Sequence, residues 1–185
     1  GFTVNVYGFM DGTILRIGSA QLSGVQFVSG GQLDTQNPPL NFVNNLQGNY
    51  TSSVTDSSFL NCKADCIFIQ NSENINIDNN VFYDVWVIAV HVVDASDVTI
   101  TNNLIIGVHD RPTMPEGADL VAGIVLYQYV DPTTDNTIVS NNYCLGSSQH
   151  CFAFPMVKCS ELGTNPFATN TAGSAKIGFI IGTIG

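Results

Sequence analysis

The feature that most constrains this chain is a repeat. Ser57-Ser58-Phe59, Asn80-Val81-Phe82 and Asn103-Leu104-Ile105 follow one another at 23-residue intervals. Asn79-Asn80 recurs as Asn102-Asn103 and, after an insertion, as Asn141-Asn142. Between them Cys66-Ile67-Phe68-Ile69 maps onto Ala89-Val90-His91-Val92 at the same interval. A period in the low twenties, built from short apolar runs and Asn/Asp/Ser/Gly corners, is the signature of a solenoid. The fold class expected is all-β, a right-handed parallel β-helix of about 23-residue coils, forming one segment over 1–185.

Apolar runs of three to six residues bounded by turn formers supply the strands, and amphipathic helical spacing is nearly absent. The expected strands are 13–17, 24–28, 58–61, 66–70, 75–77, 81–83, 87–92, 98–100, 104–106, 123–127, 137–139 and 151–154. Stacked at about 4.8 Å, about seven or eight coils would make a rod of some 35 Å. Alternation in Asn74-Ile75-Asn76-Ile77-Asp78 and Asp97-Val98-Thr99-Ile100-Thr101 points Ile75, Ile77, Val98 and Ile100 inward. Asn79, Asn102 and Asn141 then share a corner, where an amide ladder between coils is expected and left-handed backbone is tolerated. Two segments break the period. Residues 37–53 read as a polar, Pro-containing loop. Residues 107–122 expand one coil by 16 residues, and solenoid insertions often gather on a binding face.

Charge narrows the function. Only 11% of residues are charged, against roughly a quarter in ordinary soluble domains. Five basic and fifteen acidic residues give a net charge of −10. Nucleic acid needs a basic footprint that this chain lacks, and an anionic polysaccharide would be repelled on average. Acidity of this kind serves solubility first and Ca²⁺ binding second, so no cofactor is expected and no calcium ligand set is assigned.

Cys62, Cys66, Cys144, Cys151 and Cys159 form no CxxC, which argues against zinc. Their clustering suggests an oxidising compartment, with Cys62 and Cys66 paired across a corner and two of the remaining three paired. Asn49-Tyr50-Thr51 is the one glycosylation sequon. No run of residues is long and apolar enough to span a membrane, and no signal peptide is evident. Both ends lie in apolar Gly-rich sequence without polar caps, which leads us to expect a piece of a longer extracellular polypeptide.

Several side chains are candidates for chemistry. A glycosidase needs two carboxylates about 5–9.5 Å apart, and Asp94, Asp97, Asp110 and Glu116 lie on or near the insertion-bearing stretch. His109-Asp110-Arg111 reads as a solvated loop with a local ion pair, and His91, within an apolar run, as a satisfied core histidine. His150 beside Cys151 reads as part of a disulfide corner. The five cations, Arg16, Lys63, Arg111, Lys158 and Lys176, are scattered, unlike the base of a lyase. Trp86, Tyr83, Phe82, Tyr127 and Tyr129 are aromatic, and of these Trp86 and Tyr129 do not repeat, so they are the expected exposed contacts for a glycan or partner. Phe82 repeats Phe59 and belongs in the core.

The order of several segments also resembles a known family. Gly24-Val25-Gln26-Phe27 to Gly30-Gly31-Gln32, Pro39-Leu40-Asn41-Phe42, Val90-His91-Val92-Val93-Asp94, Asn136-Thr137-Ile138 to Asn142 and Cys151-Phe152-Ala153-Phe154-Pro155 together resemble the β-helix of fibrocystin and fibrocystin-like proteins, related to the cell-surface hyaluronidase-like family. The likeness runs from about Ala20 to Phe179. It implies a large secreted or single-pass surface glycoprotein, with several members on cilia or flagella. The hyaluronan-degrading relatives carry a Pro-Ile-His-Phe-His type segment, for which Asn41 and Val43 stand here. Their His-x-Glu-Asp-Gly-like stretch keeps His91 and Asp94 but has Val93 and Ala95. Losing the imidazoles removes proton carriers suited to neutral pH, so the resemblance implies a dismantled site. The expectation is a non-catalytic scaffold that contacts flanking domains, other copies or glycans; the alternative is a polysaccharide-active enzyme using Asp94, Asp110, Glu116 and His91.

Overall fold

The computed structural model describes residues 2–11, 14–16, 18–32, 37–46, 50–111, 120–127, 136–155 and 167–182. Its elements are strands, and no helix occurs among the described residues. In chain order they are β1 (Val4–Tyr7), β2 (Phe9–Asp11), β3 (Ile14–Arg16), β4 (Gln21–Ser23), β5 (Gln26–Val28), β6 (Leu40–Val43) and β7 (Ser52–Thr55). Then come β8 (Ser58–Leu60), β9 (Ile67–Gln70), β10 (Glu73–Asp78), β11 (Val81–Trp86), β12 (Ile88–Val93), β13 (Ser96–Thr101) and β14 (Leu104–His109). The last are β15 (Ala122–Tyr127), β16 (Ile138–Ser140), β17 (Tyr143–Ser147), β18 (His150–Phe154), β19 (Thr171–Gly173) and β20 (Ile177–Ile181).

From β4 to β18 every third strand returns to the same sheet. The first sheet stacks β1-β6-β9-β12-β15-β18-β20, the second β4-β7-β10-β13-β16, and the third β5-β8-β11-β14-β17-β19. Each neighbouring pair in these sheets is parallel; among the described residues the β2–β3 hairpin and an isolated Gln32–Asn37 bridge are antiparallel. This is a three-sided parallel β-helix, as the repeat implies.

The interior follows from alternation within each strand. Ile75 pairs with Val98 and Ile77 with Ile100, and all four are buried, as expected. Phe27, Phe59 and Phe82 stack with ring centroids 4.6 and 5.0 Å apart. Apolar side chains repeated at strand spacing thus make a continuous column along the axis, which no single coil could bury alone.

The asparagine corner is built differently from the expectation. Asn79, Asn102 and Asn141 have φ of 54°, 56° and 57°, and their side chains are exposed. The left-handed residue turns the chain so that the next residue faces inward, and it is Asn80, Asn103 and Asn142 that form the buried ladder. Asn80 N and Nδ2 donate to Asn103 Oδ1 at 3.0 Å, and Asn103 Nδ2 donates to Asn142 Oδ1 at 2.9 Å. Asn142 Nδ2 continues to Asn170 Oδ1 at 2.9 Å. Outside, Asn79 and Asn102 donate to Asp56 and Asp78 of the preceding coil.

Three further readings are corrected. The stretch 37–53 is not wholly loop: β6 buries Leu40 and Phe42 completely, and β7 starts at Ser52. Pro39 and the Asn neighbours masked a four-residue in-out alternation. The 16-residue expansion is also two insertions. The first-sheet offset Ile88 to Ala122 is 34 residues and the second-sheet offset Thr99 to Ile138 is 39, against 23 for the coil before. So 11 extra residues fall between the third and first sheets and five between the first and second, while Gly107–His109 completes β14. Strands β1, β2, β4, β17, β19 and β20 have no counterpart among the expected strands: β4, β17 and β19 hold few apolar residues, and β1 and β20 lie in the apolar, Gly-rich ends, where no repeat marks them.

Candidate interaction face

The outward positions of the three sheets differ in chemistry. On the second sheet they are Gln21, Ser23, Ser53, Thr55, Asn76, Asp78, Thr99, Thr101, Ile138 and Ser140, which is almost entirely polar. The third sheet carries two outward columns. One runs Gln26, Ser58, Val81, Leu104, Tyr143, and the other Val28, Leu60, Tyr83, Ile106, Leu145. Eight of these ten residues are apolar or aromatic and none is charged. Val28, Tyr83 and Tyr143 are 52, 55 and 53% exposed. Because both sheets obey the same internal repeat, folding alone does not demand this contrast. A contiguous apolar surface of this kind is a candidate contact site.

At one edge of this face, where the third sheet turns into the first, ring side chains of three coils meet. Trp86 pairs in register with His109, their rings 5.8 Å apart, and Lys63 Nζ sits 5.6 Å from the indole centroid. His109 Nε2 reaches back to Asp84 at 3.2 Å. It passes over Gly107, whose φ of +71° and missing Cβ leave room for the imidazole. Trp86, expected as an open stacking platform, is instead half-buried between a cation and an imidazole. The exposed rings are Tyr83, already among the aromatic candidates, and Tyr143, whose sequence gave no signal because its column neighbours are aliphatic.

On the first sheet, Asn41, Phe68 and His91 form one outward column, continued in register by the fully buried Val125, and Val43, Gln70, Val93 and Tyr127 form the next. His91 therefore lies outside the interior that the apolar run around it suggested. Its Nδ1 is 2.8 Å from an Asp65 carboxylate oxygen, and Phe68 and Tyr127 flank the ring at 5.1 and 5.9 Å. Nε2 is buried, with no hydrogen-bond partner among the described residues. Asp65 was not legible as a partner, because it lies 26 residues away in the corner closed by a disulfide.

Of the candidate carboxylates, Asp94 and Asp110 do not come together. Asp94 has φ 48° at the corner after β12, stacked with Asn44 and Asn71 at φ 55° and 45°, so it fills a left-handed corner position. Asp110, accepting from Gln149 Nε2 at 2.8 Å, follows β14 at the opposite end of the first sheet. A six-residue strand separates the two corners, roughly 20 Å, which is too far for a glycosidase pair. Asp97 lies beyond Asp94 and accepts from Asn136. Glu116, Tyr129, Asn49 and Cys159 lie outside the described residues. Cys62 is bonded to Cys66 and Cys144 to Cys151, as the clustering implied, and His150 contacts the Val121 carbonyl oxygen. Among the described residues no group of three metal-ligating side chains converges, and no helix is long and apolar enough to cross a membrane.

A family model for a right-handed beta helix region matches residues 36–160. None of the curated proteins and none of the solved structures compared with the chain matches it.

Proposed function

The chain belongs to the right-handed β-helix family, and from that premise we propose that it is a non-catalytic extracellular scaffold, holding a flat apolar face toward a protein partner. One observation carries the reading. Fifteen acidic and five basic residues leave the outward columns of the third sheet uncharged, whereas the second sheet, built on the same repeat, is polar. Surface that does not meet water in the assembled state has no need of charge. Two disulfides fit an oxidising compartment. The order of corner segments supports a finer assignment, a segment of a fibrocystin-like surface or filament-forming glycoprotein, on a cilium or flagellum in several of its relatives.

A second reading, polysaccharide cleavage, is favoured by one observation, the Asp65-oriented His91, whose Nε2 has no hydrogen-bond partner among the described residues. A carboxylate on Nδ1 fixes the tautomer of a general base. It would place the chemistry at His91 and Asp65 in place of the Asp94, Asp110 and Glu116 set. A polysaccharide panel, with and without Ca²⁺, decides between them by following polymer length and retained protein together. The scaffold predicts unchanged polymer length under all conditions. Shortening that His91→Ala abolishes would refute it.

A further inference from the structure

Resting on that reading, we propose that the partner of the third sheet is a second copy of this chain, packed face to face about a two-fold axis through β11. Three properties of the face select this occupant. The first is its periodicity. Outward side chains recur at strand spacing, about 4.8 Å, along five consecutive rungs. A second copy presents rows with that same spacing, so the rows of one face align on those of the other along its whole length. A partner with an unrelated surface would match at only one or two rows. The second is its charge. A chain of net charge −10 repels copies of itself in every orientation that brings acidic corners together, and the two outward columns of the third sheet offer an approach that leaves Asp84, His109 and Lys63 at the rim. A polar glycan would find few groups to bond there, namely Gln26, Ser58 and the two tyrosine hydroxyls.

The third property is size. Five strands at about 4.8 Å, each three to six residues wide at about 3.3 Å per residue, give a face of roughly 250–500 Å², or at most about 1,000 Å² buried between two copies. That lies at the lower limit for a specific interface, so a single pair is weak, micromolar or weaker. A polypeptide tethering many such faces would assemble tightly through effective concentration. The two-fold axis inverts the order of strands, so β11 meets β11 and Tyr83 faces its own mate at the centre. Tyr143 of β17 then meets Gln26 and Val28 of β5.

Sedimentation equilibrium of the 185-residue chain, from micromolar to near-millimolar concentration, tests the proposal. The expected result is a reversible monomer–dimer equilibrium that strengthens with added salt, because salt screens the net repulsion and the interface itself has no ion pair to lose. Tyr83→Lys sets two cations against each other at the axis and raises the dissociation constant by at least about tenfold. Tyr143→Lys does so independently, and both positions are more than half exposed, so folding is retained. Thr99→Lys makes the same charge change on the second sheet and leaves the equilibrium in place. A monomer at every concentration overturns the proposal, as does a dimer that Thr99→Lys breaks and Tyr83→Lys spares. These outcomes leave the scaffold reading standing with another partner. Polymer shortening in the polysaccharide panel removes the scaffold reading and leaves the dimer to be judged here.

Discussion

Replacing Asn103 with alanine should destabilise the solenoid several-fold more than replacing its neighbour Asn102. The Asn103 amide sits at the middle of the buried ladder. Its Oδ1 accepts from Asn80 N and from Asn80 Nδ2, both at 3.0 Å, and its Nδ2 donates to Ile77 O and Asn142 Oδ1, both at 2.9 Å. Alanine strands the Asn80 N–H, one Asn80 amide proton and the Ile77 carbonyl in the interior. Each unsatisfied buried group costs about 1–3 kcal/mol. The space left is about the size of a water molecule, and a water bound there offsets part of the loss. We expect a net cost of about 3–5 kcal/mol, a large fraction of the roughly 5–15 kcal/mol that holds a domain together. Asn102→Ala forfeits one exposed inter-coil bond, to Asp78 at 2.7 Å, and places alanine at φ 56°. That amounts to about 1–2 kcal/mol. Asn103→Ser should fall between the two, because Ser57 Oγ already accepts the Val25 N–H in an earlier coil. Guanidinium unfolding with both disulfides intact, read as the shift in midpoint, ranks the three variants. If Asn102→Ala proves the most damaging, the side chains facing inward are not the ones described above, and the ladder argument fails.

Two other substitutions test the inside–outside assignment. Phe82→Ala removes one member of the Phe27–Phe59–Phe82 stack and should cost about 3–5 kcal/mol in the same unfolding assay, whereas Tyr83→Ala, one residue on and facing out, should stay within about 0.5 kcal/mol. Gly107→Ala puts a Cβ 3.2 Å from His109 Nε2 at φ +71° and should lower stability by about 1–2 kcal/mol while displacing the imidazole from Asp84. The displacement is read as a change in the Trp86 fluorescence that His109 contacts, and an unchanged spectrum with unchanged stability would contradict the packing described for that corner.

What could be read from the sequence was set by where the coils are uninterrupted. From Ser57 to Ile105 no insertion intervenes, each ladder offset is 23 residues, and the inward residues Ile75, Ile77, Phe82, Val98 and Ile100 declare themselves by alternation. On either side the offsets lengthen, to 32 between Phe27 and Phe59 and to 39 between Leu104 and Tyr143, and the repeat is lost to inspection although the coil continues. Strand β6 was hidden because four residues next to a proline carry little periodic signal. The Asn-Asn pairs were visible, but which member points inward depends on a backbone angle that composition does not report. Asp65 and His91, or Lys63 and Trp86, meet only because a turn of helix brings sequence-distant corners together. Contacts of that kind follow from the stacking register, which has to be known first.

The internal repeat and the outward chemistry answer to different demands. An inward residue at one coil must match the coil above and below, because a gap in the column leaves its neighbours without partners. Phe59 therefore constrains Phe82, and Asn80 constrains Asn103. Outward residues meet no such requirement, since a polar or an apolar side chain is equally compatible with the ladder beneath it. The second sheet shows what the solenoid needs for solubility alone, a cover of Ser, Thr, Asn and Asp. The third sheet departs from that cover on five successive strands, and it does so at Val28, Leu60, Tyr83, Ile106 and Leu145, where the inward residues continue their own pattern undisturbed. A departure sustained over five coils, with insertions of different length between them, is not explained by the repetition of one unit. It fits the proposed partner, a surface that touches all five at once and is as long and as regularly spaced as the solenoid itself.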